Sequence, residues 1–337
     1  MEKTLEVKLA ALKKYSSSRE FILVDAKDAD MAFGIASPGT ELDGRVRSLS
    51  EYRDQIRAIV SQGLVDITLM SPSTSEILTI RERIFDASSV TPAARANDTT
   101  DVHIVRGSRY AILPSRPFAT TTLDQIQAGK NPCTNAERRL GANLGLYSVT
   151  FNNDLERDLE VLETYKAFRL KAEEKHFRHF LEVFHPNVPA NVHGIAPEEI
   201  PYFVNDHIVR LLAGVPSSSR PIFLKIPYAG PRALEELCAY DSSLVVGVLG
   251  GSAGTTHDAF SLLYEAKRHG ARAALFGRKI NAAEHQLSFV QYLRLLADDQ
   301  IKPAEAVKAY HATLQKSGII PRRTLDQDME LTFTFAS

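Results

Sequence analysis

Short apolar runs alternate along this chain with stretches in which apolar side chains recur every three or four residues. The runs predict buried strands at residues 21–24 (closing on Asp25), 64–70, 92–95, 143–151, 177–184, 220–230, 244–249 and 271–276. Between them the helical period predicts helices. Residues 48–59 place Leu49, Tyr52, Ile56 and Ile59 on one face, and 154–175 begin at Asp154, a side chain suited to capping. Further helices are expected from the second strand to about 85, at 198–212, 231–240 and 256–269, and finally at 283–297 and 303–316. Residues 107–135 carry Pro114, Pro117, Pro132 and a threonine run, and read as a long surface excursion with one short helix near 123–127.

Eight strands, each followed by a helix, predict an α/β fold: a parallel (β/α)8 barrel spanning 1–337 as one domain. A leading helix within 1–18 and the two last helices, 283–316, would pack on it. A doubly wound open sheet is the competitor, weakened because no glycine fingerprint follows the first strand.

Composition narrows the function classes. With 40 basic against 41 acidic side chains, no general attraction to nucleic acid or anionic membrane is expected. Apolar residues make up 44%, enough for a sizeable core, yet no run approaches the roughly 18 residues needed to cross a bilayer. The first 18 residues mix Glu, Lys and Leu and lack the apolar centre of a signal peptide. Cys133 and Cys238 stand far apart in no metal or redox spacing, so a cytoplasmic protein is expected.

One residue breaks the pattern. In the sixth run, Arg-Pro-Ile-Phe-Leu-Lys-Ile-Pro-Tyr-Ala-Gly, Lys225 interrupts a segment otherwise fit for burial. Such a side chain either snorkels or pairs with an acid, or it is kept neutral so that its amine attacks a carbonyl. The fifth run holds Glu182 within Phe-Leu-Glu-Val-Phe. Alternate side chains of a strand share a face, so Phe180, Glu182 and Phe184 go together, as do Phe223 and Lys225. If both faces point inward, Glu182 and Lys225 are neighbours, as an ion pair or as a proton relay. Asp25 closes the first strand, and barrel enzymes carry their chemistry at such strand ends. A second cluster follows strands seven and eight: Gly250-Gly251-Ser252-Ala253-Gly254-Thr255, and Gly277-Arg278. Glycines there either make tight turns or let backbone N–H groups and the start of the 256–269 helix approach a phosphate, with Arg278 beside it.

From 177 to 280 these motifs, Phe-Leu-Glu at 180–182, Leu-Lys at 224–225, Gly250-Gly251 and Leu275-Phe276-Gly277-Arg278, resemble in order and spacing the class I, Schiff-base-forming aldolases of the tagatose-bisphosphate aldolase type, within the wider group of lysine-dependent sugar-phosphate aldolases. The resemblance implies that Lys225 forms the Schiff base, Glu182 transfers protons and Asp25 positions substrate. It also implies that Gly250, Gly251, Ser252, Gly277 and Arg278 bind phosphate, with Lys27 among the residues that hold the substrate. A free lysine amine, with a pKa of about 10.4, is neutral in only about one molecule in a few thousand at pH 7. Burial and a neighbouring cation such as Lys27, if it reaches the site, would lower that value. Tyr228 and Tyr147 are candidate proton donors, or else packed aromatics.

Two departures stand out. The family's first strand continues Asp-Gln-Arg-Gly, where this chain has Asp25-Ala26-Lys27-Asp28, and a lysine expected near the end of strand four is absent, with Asn143 or Tyr147 in that neighbourhood. The expectation is reversible aldol cleavage of a phosphorylated ketose or related keto sugar acid without metal or other cofactor, with a homo-oligomer as the default assembly. Acyl or aldol-group transfer through the same lysine, or a sugar-phosphate-binding protein without turnover, are the alternatives. His185 and His193 share a loop, but no His-x-His follows strand one, and metal-dependent hydrolysis is disfavoured.

Overall fold

The computed structural model describes residues 1–15, 18–32, 34–41, 43–102, 105–251 and 254–333. Eight parallel strands close into a barrel: β1 Ile22–Lys27, β2 Ile67–Met70, β3 Thr91–Arg95, β4 Leu144–Thr150, β5 Arg178–Phe184, β6 Leu224–Ile226, β7 Val246–Leu249 and β8 Ala273–Phe276. Each pairs with its neighbours in sequence, and β1 closes on β8 through Ile22 opposite Ala273 and Asp25 opposite Phe276. The fold is the predicted (β/α)8, or TIM, barrel. The differences lie at strand ends: β1 runs on to Lys27, and of the 220–230 run only Leu224–Ile226 joins the sheet.

Strand alternation divides the apolar side chains into two cores. Ile22, Val24, Leu69, Ala93, Leu146, Phe180, Phe223 and Leu275 fill the barrel, with Phe180 and Phe223 stacked at 4.5 Å. Leu23, Met70, Tyr147, Val183, Ile226, Val248 and Phe276 face the surrounding helices. The first helix, Thr4–Lys14, closes the N-terminal end by inserting Leu5 into the inner core, and Lys3 Nζ donates to the carbonyls of Phe85, Ser88 and Val90. That leaves the opposite, C-terminal mouth for chemistry.

The expected helices form where their caps sit. Ser48 caps Leu49–Gln62 in a reciprocal box with Glu51, and Asp154 caps Leu155–Glu174. After β2 the helix Pro72–Ser75 relaxes into a wider π-type turn, Glu76–Arg81. The excursion between β3 and β4 starts earlier than predicted: Asp98–Thr99 pairs antiparallel with Pro117–Phe118, and the helix Leu123–Ala128 packs Leu123 and Ile126 near Ala94 and Phe177. Asp101 fastens it to the barrel rim, accepting from Ser115 Oγ at 2.6 Å and Thr150 Oγ1 at 2.9 Å. Among the described residues no helix is long and apolar enough to cross a membrane.

Candidate active site

Glu182 and Lys225 are register partners on β5 and β6, inside the barrel near its C-terminal mouth. Lys225 Nζ lies 2.5 Å from Glu182 Oε1, and both residues are under 10% exposed. The same row continues to Ser148 on β4, opposite Glu182, and to Gly247 on β7, opposite Lys225. Ser148 Oγ donates to the second carboxylate oxygen, Glu182 Oε2, at 2.7 Å. Glu182 is therefore held at both oxygens, and Lys225 stands over the stacked Phe180 and Phe223 side chains that fill the barrel beneath.

A cavity of about 120 Å³ opens above this pair. Its floor includes Glu182 and Lys225; Gly250, Gly251, Gly277 and Arg278 form one side, and Asp28 and Arg95 stand elsewhere on its wall. Gly251 has φ +60°, a conformation that favours glycine, and a Cβ on Gly277 would lie 2.5 Å from the Ala26 carbonyl. Gly250 gives its N–H to Leu275 O at 2.8 Å, so that group is spent within the sheet. Burial pushes the Arg278 guanidinium below its ordinary pKa, while the Glu182 carboxylate works in the other direction. Ser252 lies outside the described residues.

The helix Thr256–Arg268, expected to aim its N-terminus at a bound phosphate, is already satisfied there. Thr255 and Asp258 form a reciprocal cap, and Thr256 N donates to Asp328 Oδ1 at 2.7 Å. Thr332 N donates to Asp258 Oδ1 at 2.8 Å and Thr255 Oγ1 donates to the Glu330 carbonyl at 2.7 Å, so the C-terminal segment is pinned to the start of this helix and to the end of the loop that follows β7. Carboxylates of the chain itself occupy the helix end, which corrects that part of the expectation.

Asp25 and Lys27 are not in the cavity. Val24 and Ala26 point into the barrel, so strand alternation turns Asp25 and Lys27 outward to the helices. Lys27 Nζ bonds Asn281 Oδ1 and, at 2.9 Å, Gln286 Oε1; it lies 3.5 Å from Asp25 Oδ1 and 5.8 Å from the centre of the Tyr52 ring. Both residues are fully buried. Burial raises the Asp25 carboxyl to about 6 against the opposing pull of Lys27, and lowers the Lys27 amine. Lys27 therefore cannot act as the neighbouring cation of Lys225. Tyr147 also faces outward and stacks on Phe168 at 4.3 Å, while Tyr228 packs against the outer core near Glu265 and Glu235. Neither tyrosine lines the cavity. His193 is buried, and its Nδ1 accepts the Ile195 N–H at 3.0 Å.

In their place the structure brings in Arg95, Asp28 and Ser148. Arg95 ends β3; its Nη1 meets Asp28 Oδ2 at 2.7 Å, its Nε meets Asp98 Oδ1 at 3.1 Å, and its Nη2 donates to Ser148 Oγ at 3.3 Å. Burial opposes the guanidinium charge, but Asp28, Glu182 and Asp98 outweigh it and raise its pKa. Asn97 continues the sheet pattern past β3, exchanging hydrogen bonds with the Ser148 backbone at 2.7 and 2.9 Å. The signal for Arg95 was present in the sequence: a cation closing an otherwise apolar strand, as Lys225 interrupts another.

No family model and no curated protein matches the sequence. Solved structures do match its shape. A fructose-bisphosphate aldolase from Slackia heliotrinireducens DSM 20476 superposes with a TM-score of 0.61 at 13% identity, over 91% of each chain. An archaeal fructose 1,6-bisphosphate aldolase gives 0.58 at 15%, covering 86% of this chain and 98% of that one. A Schiff-base-forming fructose-1,6-bisphosphate aldolase gives 0.59 at 14%, covering 87% and 100%. At these identities the likeness establishes the shared barrel.

Proposed function

We propose that this chain is a class I aldolase, a lyase that reversibly cleaves a phosphorylated ketose or related keto sugar acid through a Schiff base on Lys225. The observation that carries the reading is the inward Lys225–Glu182 pair at the mouth of the barrel, at 2.5 Å, beside a glycine-lined loop pair and Arg278. Barrels that share this shape include proteins described as Schiff-base aldolases, and the motif resemblance from 177 to 280 points the same way.

The chemistry follows from the geometry. The Lys225 amine, once it has given its proton to Glu182, adds to the substrate ketone to form a carbinolamine. Glu182 returns that proton to the carbinolamine hydroxyl, which leaves as water, so the iminium ion forms beside a Glu182 carboxylate ready to act as base. That cation draws electrons from the neighbouring C–C bond; Glu182, within reach and held by Ser148, takes the proton of the departing hydroxyl as the aldehyde leaves. Glu182 then gives this proton to the enamine carbon, and water hydrolyses the resulting iminium to release the second product and restore the lysine ammonium. Gly251, Gly277 and Arg278 would hold the phosphate. The Arg95–Asp28 pair takes the positioning role expected of Asp25 and Lys27. No step calls for a metal.

Borohydride added with a phosphorylated ketose should reduce the iminium and leave a stable adduct on Lys225, read by intact mass and peptide mapping, while EDTA leaves turnover unchanged. Cleavage without a trapped adduct, or full activity in Lys225→Ala, would refute the proposal. Product analysis separates cleavage from group transfer.

A further inference from the structure

The hydrogen bonds beside Lys225 carry the reading one step further: we infer that Ser148 is a positioning residue that assigns proton transfer to one oxygen of Glu182, Oε1, and that Arg95 fixes Ser148 in that role. The inference rests on the aldolase reading above and deepens it. Donors and acceptors follow one another across the adjacent strands β3 to β6. Arg95 Nη1 donates to Asp28 Oδ2 at 2.7 Å, and Arg95 Nη2 donates to Ser148 Oγ at 3.3 Å. Ser148 Oγ donates to Glu182 Oε2 at 2.7 Å, and Glu182 Oε1 meets Lys225 Nζ at 2.5 Å. All five residues are under 10% exposed, and Ser148 is fully buried.

The chemistry of the groups sets the direction of each bond. A guanidinium carries N–H donors and no acceptor, so the Arg95–Ser148 contact can run only from arginine to serine. Ser148 has one hydroxyl proton, and the bond it receives from Arg95 leaves that proton for Glu182 Oε2. Among the described residues Ser148 Oγ reaches no other acceptor. A proton arriving on Oε2 would displace it and strand a buried hydroxyl, which is unfavourable. Protons therefore come and go at Oε1, the oxygen that faces Lys225. Nor can the serine turn away. Its backbone N–H donates to Asn97 Oδ1 at 2.7 Å, and its carbonyl accepts from Asn97 Nδ2 at 2.9 Å. Arg95 is tied to the same residue, its Nε donating to the Asn97 carbonyl at 3.0 Å. Arg95, Glu182 and Lys225 line the cavity, whereas Ser148 stands behind Glu182 and acts through it. The lysine proton, the proton of the departing hydroxyl and the proton returned to carbon then all pass one oxygen beside the lysine nitrogen. Without Ser148 the carboxylate turns about its last bond, and a proton taken by the oxygen remote from Lys225 is lost to the reaction.

A double-mutant cycle of Ser148→Ala and Glu182→Gln on the full chain tests this. The readout is the rate at which borohydride fixes an adduct on Lys225, with turnover measured alongside. The probe is a ketohexose 1-phosphate, 6-phosphate or 1,6-bisphosphate, whichever labels the wild type fastest. Ser148→Ala should slow trapping and turnover by about 10- to 100-fold, the effect of one hydrogen bond to a charged group. In the Glu182→Gln background, where the oxygen to be fixed no longer moves protons, the same substitution should change the trapping rate by less than about twofold. Arg95→Lys keeps the charge but loses the Nη2 donor, and should cost less in Ser148→Ala than in the wild type. Equal slowing by Ser148→Ala in both Glu182 backgrounds, or no slowing in either, overturns the inference while the aldolase reading stands. No adduct on the wild type with any of the three probes overturns both. An equal cost of Arg95→Lys with and without Ser148 removes Arg95 from the role. If Ser148→Ala does not fold, Ser148→Cys, which keeps the shape of the side chain and weakens the donor, takes its place in the cycle.

Discussion

Lys225 and Glu182 face each other across the β5–β6 ladder with Nζ and Oε1 2.5 Å apart, and Ser148 holds the other carboxylate oxygen from β4. Three adjacent strands thus contribute one side chain each to a single transverse row. The row is rigid because its members are fixed by register rather than by loops, and pre-organisation of this kind is what a proton-transfer pair requires.

Glu182→Gln preserves the shape of the side chain and removes the base. Turnover should fall by about 10²- to 10⁴-fold, and borohydride trapping on Lys225 should slow as well, because Glu182 also takes the lysine proton before the amine adds. Steady-state rates alongside intact mass separate the two effects. Wild-type turnover in a folded Glu182→Gln variant would remove Glu182 from the role of base.

Arg95→Leu removes the guanidinium that pairs with the buried carboxylates of Asp28 and Asp98. Unfolding in urea should show a loss of about 3–5 kcal/mol, since removing one member of a buried charge cluster strands the others. A change below about 1 kcal/mol would mean that water reaches the pair freely.

Asp25 gives the protein a pH dependence apart from catalysis. Burial raises its carboxyl to about 6 in the folded state, above the ordinary 3.8, so between these pH values the folded state binds more protons than the unfolded one. Stability from this group is full below about pH 3.8 and is lost as pH rises through 6, a swing of up to about 3 kcal/mol. Urea midpoints measured at pH 4.5 and pH 7 should show this loss in the wild type, and Asp25→Asn should remove it. An unchanged slope in the variant would assign the titration elsewhere.

Asp328→Ala removes the carboxylate that receives the Thr256 N–H and pairs with His311 at 3.0 Å. A lost cap costs about 0.5–2 kcal/mol. The thermal midpoint should drop accordingly while Lys225 remains open to trapping, because the C-terminal segment supports the β7 loop from outside the cavity.

The barrel and its central lysine were legible in the chain because both depend on local pattern. Alternating periods of two and three to four residues mark strands and helices before any contact is known, and a lysine inside an apolar strand is conspicuous wherever that strand lies. Strand parity also anticipated the Glu182–Lys225 pairing, since both residues sit on strands whose phase their flanking phenylalanines reveal. The first strand offered no such help. It is buried on both faces, so Val24, Asp25, Ala26 and Lys27 carry no contrast between inside and outside, and where the strand ends decides which acid reaches the mouth. Only closure of the barrel settled that, turning Asp25 and Lys27 to the helices and bringing Asp28 beside Arg95, which lies 67 positions along the chain. Contacts made across that separation follow from the number and register of strands in the ring. The same holds for Asp328 at the start of the helix Thr256–Arg268, 72 residues away. Sequence determined which side chains are chemically out of place; tertiary structure decided which of them meet.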